Sequence, residues 1–320
     1  MSPLLNFDLF SIWLSAHVLM LGGANRINLI NEQQAGDFQN PPQTSFQRIF
    51  RDDKKRLEFR TIVHNALGFY PVIDPTNPGR LRFKISDRAP STEIEERGWH
   101  TEAIAFHSKA EAIEQSSDGI KAFSGIVLEL IAGNPRLLLI DEPEAFLHPA
   151  LAFKLGNEIG KLALKEEKSV FVSTHSSSFL MGCLQSGSTI NIVRLTYTKK
   201  IATSRVLPSS KIVELMRNPL LRSSGVISAL FYEFVIVTES DADRAFYSEI
   251  NERLLRFRPE WGIQNCLFLN SQGKHTLGTI VKPLRELGIP TACIVDIDVL
   301  KDGGSVWTMT CPPRSEPPVM

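Results

Sequence analysis

Leu137-Leu138-Leu139-Ile140-Asp141-Glu142-Pro143 sets four aliphatic side chains directly ahead of two acids and a proline. A short, wholly apolar run suits a strand buried in a parallel sheet. The acids then fall at its carboxyl end, where open α/β sheets bind ligands, and Pro143 stops the strand. Around it, residues 119–131 and 151–164 have helical apolar spacing, 169–173 forms a second buried strand, 177–184 a helix and 189–195 a third strand. Strands alternating with helices predict a mostly parallel sheet covered on both faces.

The alternation restarts after a turn-rich stretch at 208–224. Strands are expected at 234–238, 266–269 and 291–295, and helices at 243–256 and 275–287. Two α/β domains follow: 1–207, a connecting segment 208–230, and 231–309, with an aperiodic, disordered tail at 310–320. Toward the amino terminus, 56–67 reads as helix and 80–85 as strand, with a turn-rich piece at 74–79 between them. The polar, Pro/Gln-rich residues 31–55 read as a loop. Residues 4–22 are apolar, yet Asp8 and His17 interrupt them and no Lys or Arg precedes them. They read as buried core rather than as a signal sequence or membrane span.

The chain has 320 residues, 43% hydrophobic and 22% charged, which supplies ample core and excludes disorder as the main state. Lys plus Arg and Asp plus Glu each total 35, so no overall charge carries the chain to nucleic acid. Four widely spaced cysteines without a C-x-x-C argue against a zinc cage and fit a reducing cytoplasm.

Two constellations carry chemistry. In the first, Asp141 at a strand end can hold Mg²⁺ beside nucleotide phosphates, and Glu142 can orient or deprotonate an attacking water. Alone, the stretch equally describes a buried strand followed by a solvated acidic turn. The second aliphatic strand runs into Ser173-Thr174-His175-Ser176, which places His175 within reach of the same phosphate. Upstream, Ser116, Ser117, Asp118 and Gly119 open a helix, where capping and anion binding use the same atoms. In the second constellation, Glu239 and Asp243 follow one strand, and Asp296 and Asp298 follow another. Carboxylates gathered at parallel strand ends repel one another unless a cation sits among them, and oxygen-only ligands favour Mg²⁺ or Mn²⁺. Phosphodiester cleavage suits such a site. Strands capped by solvated acids are the bland alternative.

The ordered set at 115–195 resembles the ABC-type ATPase superfamily, and within it the AAA-domain branch related to structural-maintenance, recombination-repair and OLD-type proteins. Ser116-Ser117-Asp118-Gly119 looks like the signature motif, 137–142 like Walker B, 144–149 like the D-loop and His175 like the switch histidine. The resemblance implies ATP as cofactor, a homodimer through this domain, and a signature motif that touches the γ-phosphate held by the opposite subunit. Residues from 231 onward resemble a TOPRIM domain, with Glu239 as its glutamate, Asp243 as the second acid of the OLD branch and Asp296-Ile297-Asp298 as its D-x-D. That implies a metal-dependent nuclease acting on nucleic acid, in systems that often defend bacteria against phage. The expected fold is therefore α/β, a partial ABC/AAA-type P-loop-like ATPase lobe followed by a partial TOPRIM parallel domain.

Two departures matter. No G-x-x-x-x-G-K-[ST] occurs, so the backbone cradle and lysine for the β- and γ-phosphates are missing, as in a chain lacking its first lobe. Ser240 also stands where TOPRIM domains usually place glycine. The expected function is an ATPase-coupled nuclease; the alternative is a non-catalytic regulatory or assembly protein, or an inactive truncated fragment lacking the phosphate-binding loop.

Overall fold

The computed structural model describes residues 17–198, 200–207, 210, 212–213 and 225–298. The apolar run at 4–16, most of the turn-rich stretch at 208–224 and the tail at 310–320 lie outside the described residues. The chain divides into two units, Met1–Ser188 and Thr189–Met320. The expected connecting segment thus falls within the second unit.

The first unit opens with strand β1 (Val18–Leu21), helix α1 (Gly23–Asn28), strand β2 (Gln33–Gln34) and helices α2 (Ser45–Arg51) and α3 (Asp53–Leu67). Strands β3 (Tyr70–Asp74) and β4 (Arg80–Ser86), helices α4 (Glu93–Arg97) and α5 (Thr101–Lys109) and strand β5 (Glu111–Ala112) follow. Helix α6 (Asp118–Ala132), strand β6 (Leu137–Asp141), helix α7 (Pro149–Lys165), strand β7 (Ser169–Ser173) and helix α8 (Ser177–Gln185) complete it.

β6 lies between β1 and β7, parallel to both, with Ile140 opposite Leu21 and Val172, and Asp141 opposite Ser173. One face is sealed: Leu138 and Ile140 join Phe123, Ile126, Val127, Ala152, Leu155 and Phe179 in a single core. The other face departs from the expected two-sided cover. Met20, Leu139 and Phe171 are in register there, and Met20 and Phe171 are 67% and 64% exposed, because no described element lies over them. Helix α6 is buried on nearly every side, capped by Ser117, whose hydroxyl accepts from the Ile120 N–H. α7 and α8 cross so closely that a Cβ on Gly182 would meet the Phe153 carbonyl oxygen at 2.0 Å.

An antiparallel sheet of order β2-β4-β3, with β5 on β4, carries the turn-rich piece at 74–79 as its hairpin connection. The buried Asp74 accepts from the Thr76 N–H at 2.8 Å and faces Arg82 at 2.7 Å and Lys84 at 3.2 Å. Residues 45–51 and 53–55 are helical, with the extended Asp52 between them, against the loop expected over 31–55. Thr44 caps α2, and Phe46, Ile49 and Phe50 share one buried face, with Phe46 edge-on to Phe83 at 4.5 Å. A helix whose apolar residues stand three and four apart buries them whatever the polarity of its flanks.

In the second unit, strand β8 (Ile192–Thr198) pairs antiparallel with β9 (Ile201–Leu207). The third strand expected at 189–195 is therefore a hairpin arm and not a member of the parallel sheet. A tight turn with Lys200 at φ +69° joins the arms, whereas parallel pairing needs a crossover of a dozen residues or more. β10 (Phe234–Thr238), helix α9 (Asp241–Phe257), β11 (Cys266–Asn270), helix α10 (Leu277–Glu286) and β12 (Thr291–Ile294) follow. β10 is central and parallel to β11 and β12, with Thr238 opposite Asn270 and Ile294. Leu277, Ile280, Val281 and Leu284 of α10 are buried at helical spacing. Among the described residues, no helix is long and apolar enough to cross a membrane.

Candidate functional site

The ends of β6 and β7 bring three sequence-selected residues together, Asp141, Glu142 and His175. Asp141 stands beside Ser173, whose hydroxyl donates to the Asp141 carboxylate. The Glu142 N–H donates to the Ser173 carbonyl at 2.9 Å, extending the ladder by one residue. Glu142 then turns at φ +45°, and its carboxylate lies 3.0 Å from His175 Nδ1. Both side chains are half exposed or more, open to a ligand arriving at the sheet edge.

Residues 142–148 form a compact loop, with the Ala145 N–H on the Glu142 carbonyl and the Leu147 N–H on the Glu144 carbonyl, each at 2.9 Å. Glu144 is buried and organises the β7 end. Its Oε1 accepts from the Thr174 hydroxyl at 2.6 Å and from the His175 N–H at 3.2 Å. His148 caps α7, accepting from the Ala150 N–H at 3.3 Å, and Pro149 fits the first helical position.

Ser116, Ser117, Asp118 and Gly119 sit at the start of α6, against this loop. A Cβ on Gly119 would stand 2.6 Å from the Phe146 carbonyl oxygen, so glycine sets how closely helix and loop approach. Asp118 pairs with Lys121 at 3.3 Å.

Sequence reasoning missed Arg26. It is 1% exposed, and its Nη1 donates to the carbonyls of Asp141 and Glu142, both at 2.6 Å. Burial pulls its pKa down, opposed by the charges of Glu144, Asp141 and Glu142. An arginine four residues beyond the apolar stretch at 4–22 was the one available signal.

In the second unit, the Glu239 carboxylate accepts from the Asp296 N–H at 3.1 Å, which joins the ends of β10 and β12. Asp298 faces Lys274 Nζ at 2.8 Å. Asp243 accepts, through one carboxylate oxygen, from the Ser240 hydroxyl at 2.7 Å and the Ser240 N–H at 3.2 Å, the reciprocal half of a capping box that opens α9. Ser240 has φ −124°, an extended conformation that does not call for glycine.

Hard oxygen donors at both strand ends suit a divalent cation. In the first unit, Asp141 with Ser173 offers such donors. In the second, Glu239 and the Asp296 backbone are brought together, while Asp298 is paired through one oxygen with Lys274. Among the described residues, no three His, Cys, Asp or Glu side chains converge as a ready metal cage.

Residues 43–181 match the family described as "AAA domain, putative AbiEii toxin, Type IV TA system". Residues 230–298 match "Overcoming lysogenization defect protein-like, TOPRIM domain". In that order the two matches reproduce the OLD-like arrangement of an ATPase domain followed by a TOPRIM domain, within a mixed α/β chain. Among solved structures, the chain is similar to one reported under "ATP-driven dimerization and DNA stimulated activation of SMC ATPases", at 16% identity over 54% of this chain and 94% of that one, with TM-score 0.35. It is also similar to an Smc head bound to the C-winged helix domain of ScpA, at 14% identity over 61% and 57%, TM-score 0.40. A third is an Smc head with an extended coiled coil bound to the C-terminal domain of ScpA, derived from Pyrococcus furiosus, at 17% identity over 54% and 38%, TM-score 0.37. The chain thus spans 57% and 38% of the last two. No curated protein matches it.

Proposed function

We propose that this chain, an AAA-type ATPase domain followed by an OLD-like TOPRIM domain, couples an ATP-dependent homodimer to metal-dependent cleavage of nucleic acid. The observation that carries the reading is the Glu142–His175 contact of 3.0 Å beside Asp141, at the ends of adjacent parallel strands. In this arrangement Glu142 accepts a proton from, or orients, the attacking water, and His175 donates to a γ-phosphate oxygen. Asp141, steadied by the Ser173 hydroxyl, would hold Mg²⁺, which when bound neutralises phosphate charge. Ser116, Ser117, Asp118 and Gly119 face the nucleotide of a second copy, with spare N–H groups at the start of α6. The chain supplies the acid–histidine half of this site and, having no G-x-x-x-x-G-K-[ST], not the phosphate cradle.

In the TOPRIM unit, Glu239 and Asp296, with Asp298, would hold Mg²⁺ or Mn²⁺ to polarise a phosphodiester and its attacking water. Asp243 serves that centre indirectly, by fixing the β10–α9 turn that carries Glu239. A cytoplasmic setting and a role in defence against phage accord with this reading.

Nicking of supercoiled plasmid in Mn²⁺, compared between the native chain and Asp296→Ala, tests it. Nicking by the native chain that the substitution abolishes is expected. Equal and absent nicking in both would leave the missing phosphate loop as the dominant fact and favour a regulatory or assembly role.

A further inference from the structure

The conformation that presents Glu142 to His175 is one the local sequence resists. Glu142 has φ +45°, which costs a non-glycine residue about 1 kcal/mol or more. It also precedes Pro143, whose ring restricts the preceding residue to extended backbone. In an extended strand successive carbonyls point to opposite sides, whereas a left-handed residue turns the two carbonyls that flank it the same way. Arg26 exploits that reversal, because its Nη1 donates to the carbonyls of Asp141 and Glu142 together, at 2.6 Å each. An extended Glu142 would withdraw one of the two acceptors.

Arg26 also reaches the second left-handed residue of the loop. Its guanidinium carbon lies 5.6 Å from the centroid of the Phe146 ring, and Phe146 has φ +70°. A guanidinium cannot shed its charge, so one buried to 1% exposure needs fixed acceptors and anions around it. Asp141, Glu142 and Glu144 supply the anions, and burial is the influence they oppose. The nitrogen Nε is buried without a hydrogen-bond partner among the described residues, so the forked contact to the two carbonyls is where the side chain is committed.

We propose that Arg26 is a positioning residue for hydrolysis: by clamping the Asp141 and Glu142 carbonyls it holds the left-handed turn that sets the Glu142 carboxylate against His175 Nδ1. This rests on the reading of Glu142 and His175 as the hydrolytic pair. Arg26 touches neither nucleotide nor water in this role and acts through Glu142.

Selective labelling of the histidines resolves the ring ¹³Cε1–¹Hε1 resonance of His175, assigned by its loss in His175→Asn. Glu142→Gln sets the scale, since it removes a charge 3.0 Å from Nδ1. Arg26→Gln is expected to move the resonance in the same direction, by at least half that displacement, and Arg26→Lys by less. The double variant Arg26→Gln/Glu142→Gln is expected to move it less than the sum of the two singles. A purely structural role lowers the melting temperature and leaves the resonance in place. Either Arg26 variant, folded and with His175 unmoved, overturns the proposal; where Arg26→Gln does not fold, Arg26→Lys decides by the same criterion. If Glu142→Gln itself leaves His175 unmoved, the hydrolytic pair fails, and that result is distinct from failure of the clamp alone.

Discussion

The Glu142 carboxylate and His175 Nδ1 stand 3.0 Å apart across the ends of two neighbouring parallel strands. Their backbones are tied as well, because Glu142 extends the ladder onto Ser173 and the buried Glu144 binds the Thr174 hydroxyl and the His175 N–H. One short loop thereby fixes both members of an acid–imidazole pair at an open sheet edge.

No G-x-x-x-x-G-K-[ST] accompanies the pair in this sequence. A titration of the isolated chain with a fluorescent ATP analogue and Mg²⁺ should therefore give a Kd of about 1 mM or weaker. A Kd near 1 µM would show that the chain holds nucleotide by groups other than those assigned here.

Gly119→Ala should loosen the junction of α6 with the loop. Its Cβ would lie 2.6 Å from the Phe146 carbonyl oxygen, a backbone atom that cannot swing aside. Overpacking of this kind costs about 1–3 kcal/mol, read as a lower urea midpoint at unchanged slope. An unchanged midpoint would mean that the loop yields freely.

Stability should fall on the acid side of neutrality through His107. This ring is buried, its Nε2 lies 2.9 Å from the Glu96 carbonyl oxygen, and burial holds its pKa below the usual 6.5. Below pH 6.5 the unfolded chain takes up a proton that the folded chain refuses, so this contribution is complete above 6.5 and is lost as pH drops beneath it. The slope approaches about 1.4 kcal/mol per pH unit at most. Chemical denaturation between pH 7 and 5 should show it, and His107→Gln should flatten it; an identical slope in the variant would refute the assignment.

Much of this was legible in the sequence. The apolar runs at 137–140 and 169–173 did become neighbouring parallel strands, although only one face of their sheet is sealed, with Phe171 64% exposed on the other. Glu239 and Asp296 were read from the same logic, and the Asp296 backbone N–H does donate to the Glu239 carboxylate. The remainder depends on contacts that local pattern does not encode. Arg26 reaches carbonyls 115 and 116 residues away. Asp243 carries the same charge whether it binds a cation or closes a capping box, and its hydrogen bonds from Ser240, both to one carboxylate oxygen, are not encoded in its charge. The helix at 45–51 was hidden because Pro- and Gln-rich neighbours diluted the spacing of Phe46, Ile49 and Phe50.

Manganese binding, followed by electron paramagnetic resonance of the free ion, tests most directly the claim that acids at these strand ends hold a divalent cation. The native chain should show saturable binding, and Asp296→Ala and Glu239→Gln should each weaken it by about 100-fold or more, since even outer partners of metal sites cost 10–100-fold. Equal affinity in all three proteins would contradict the account.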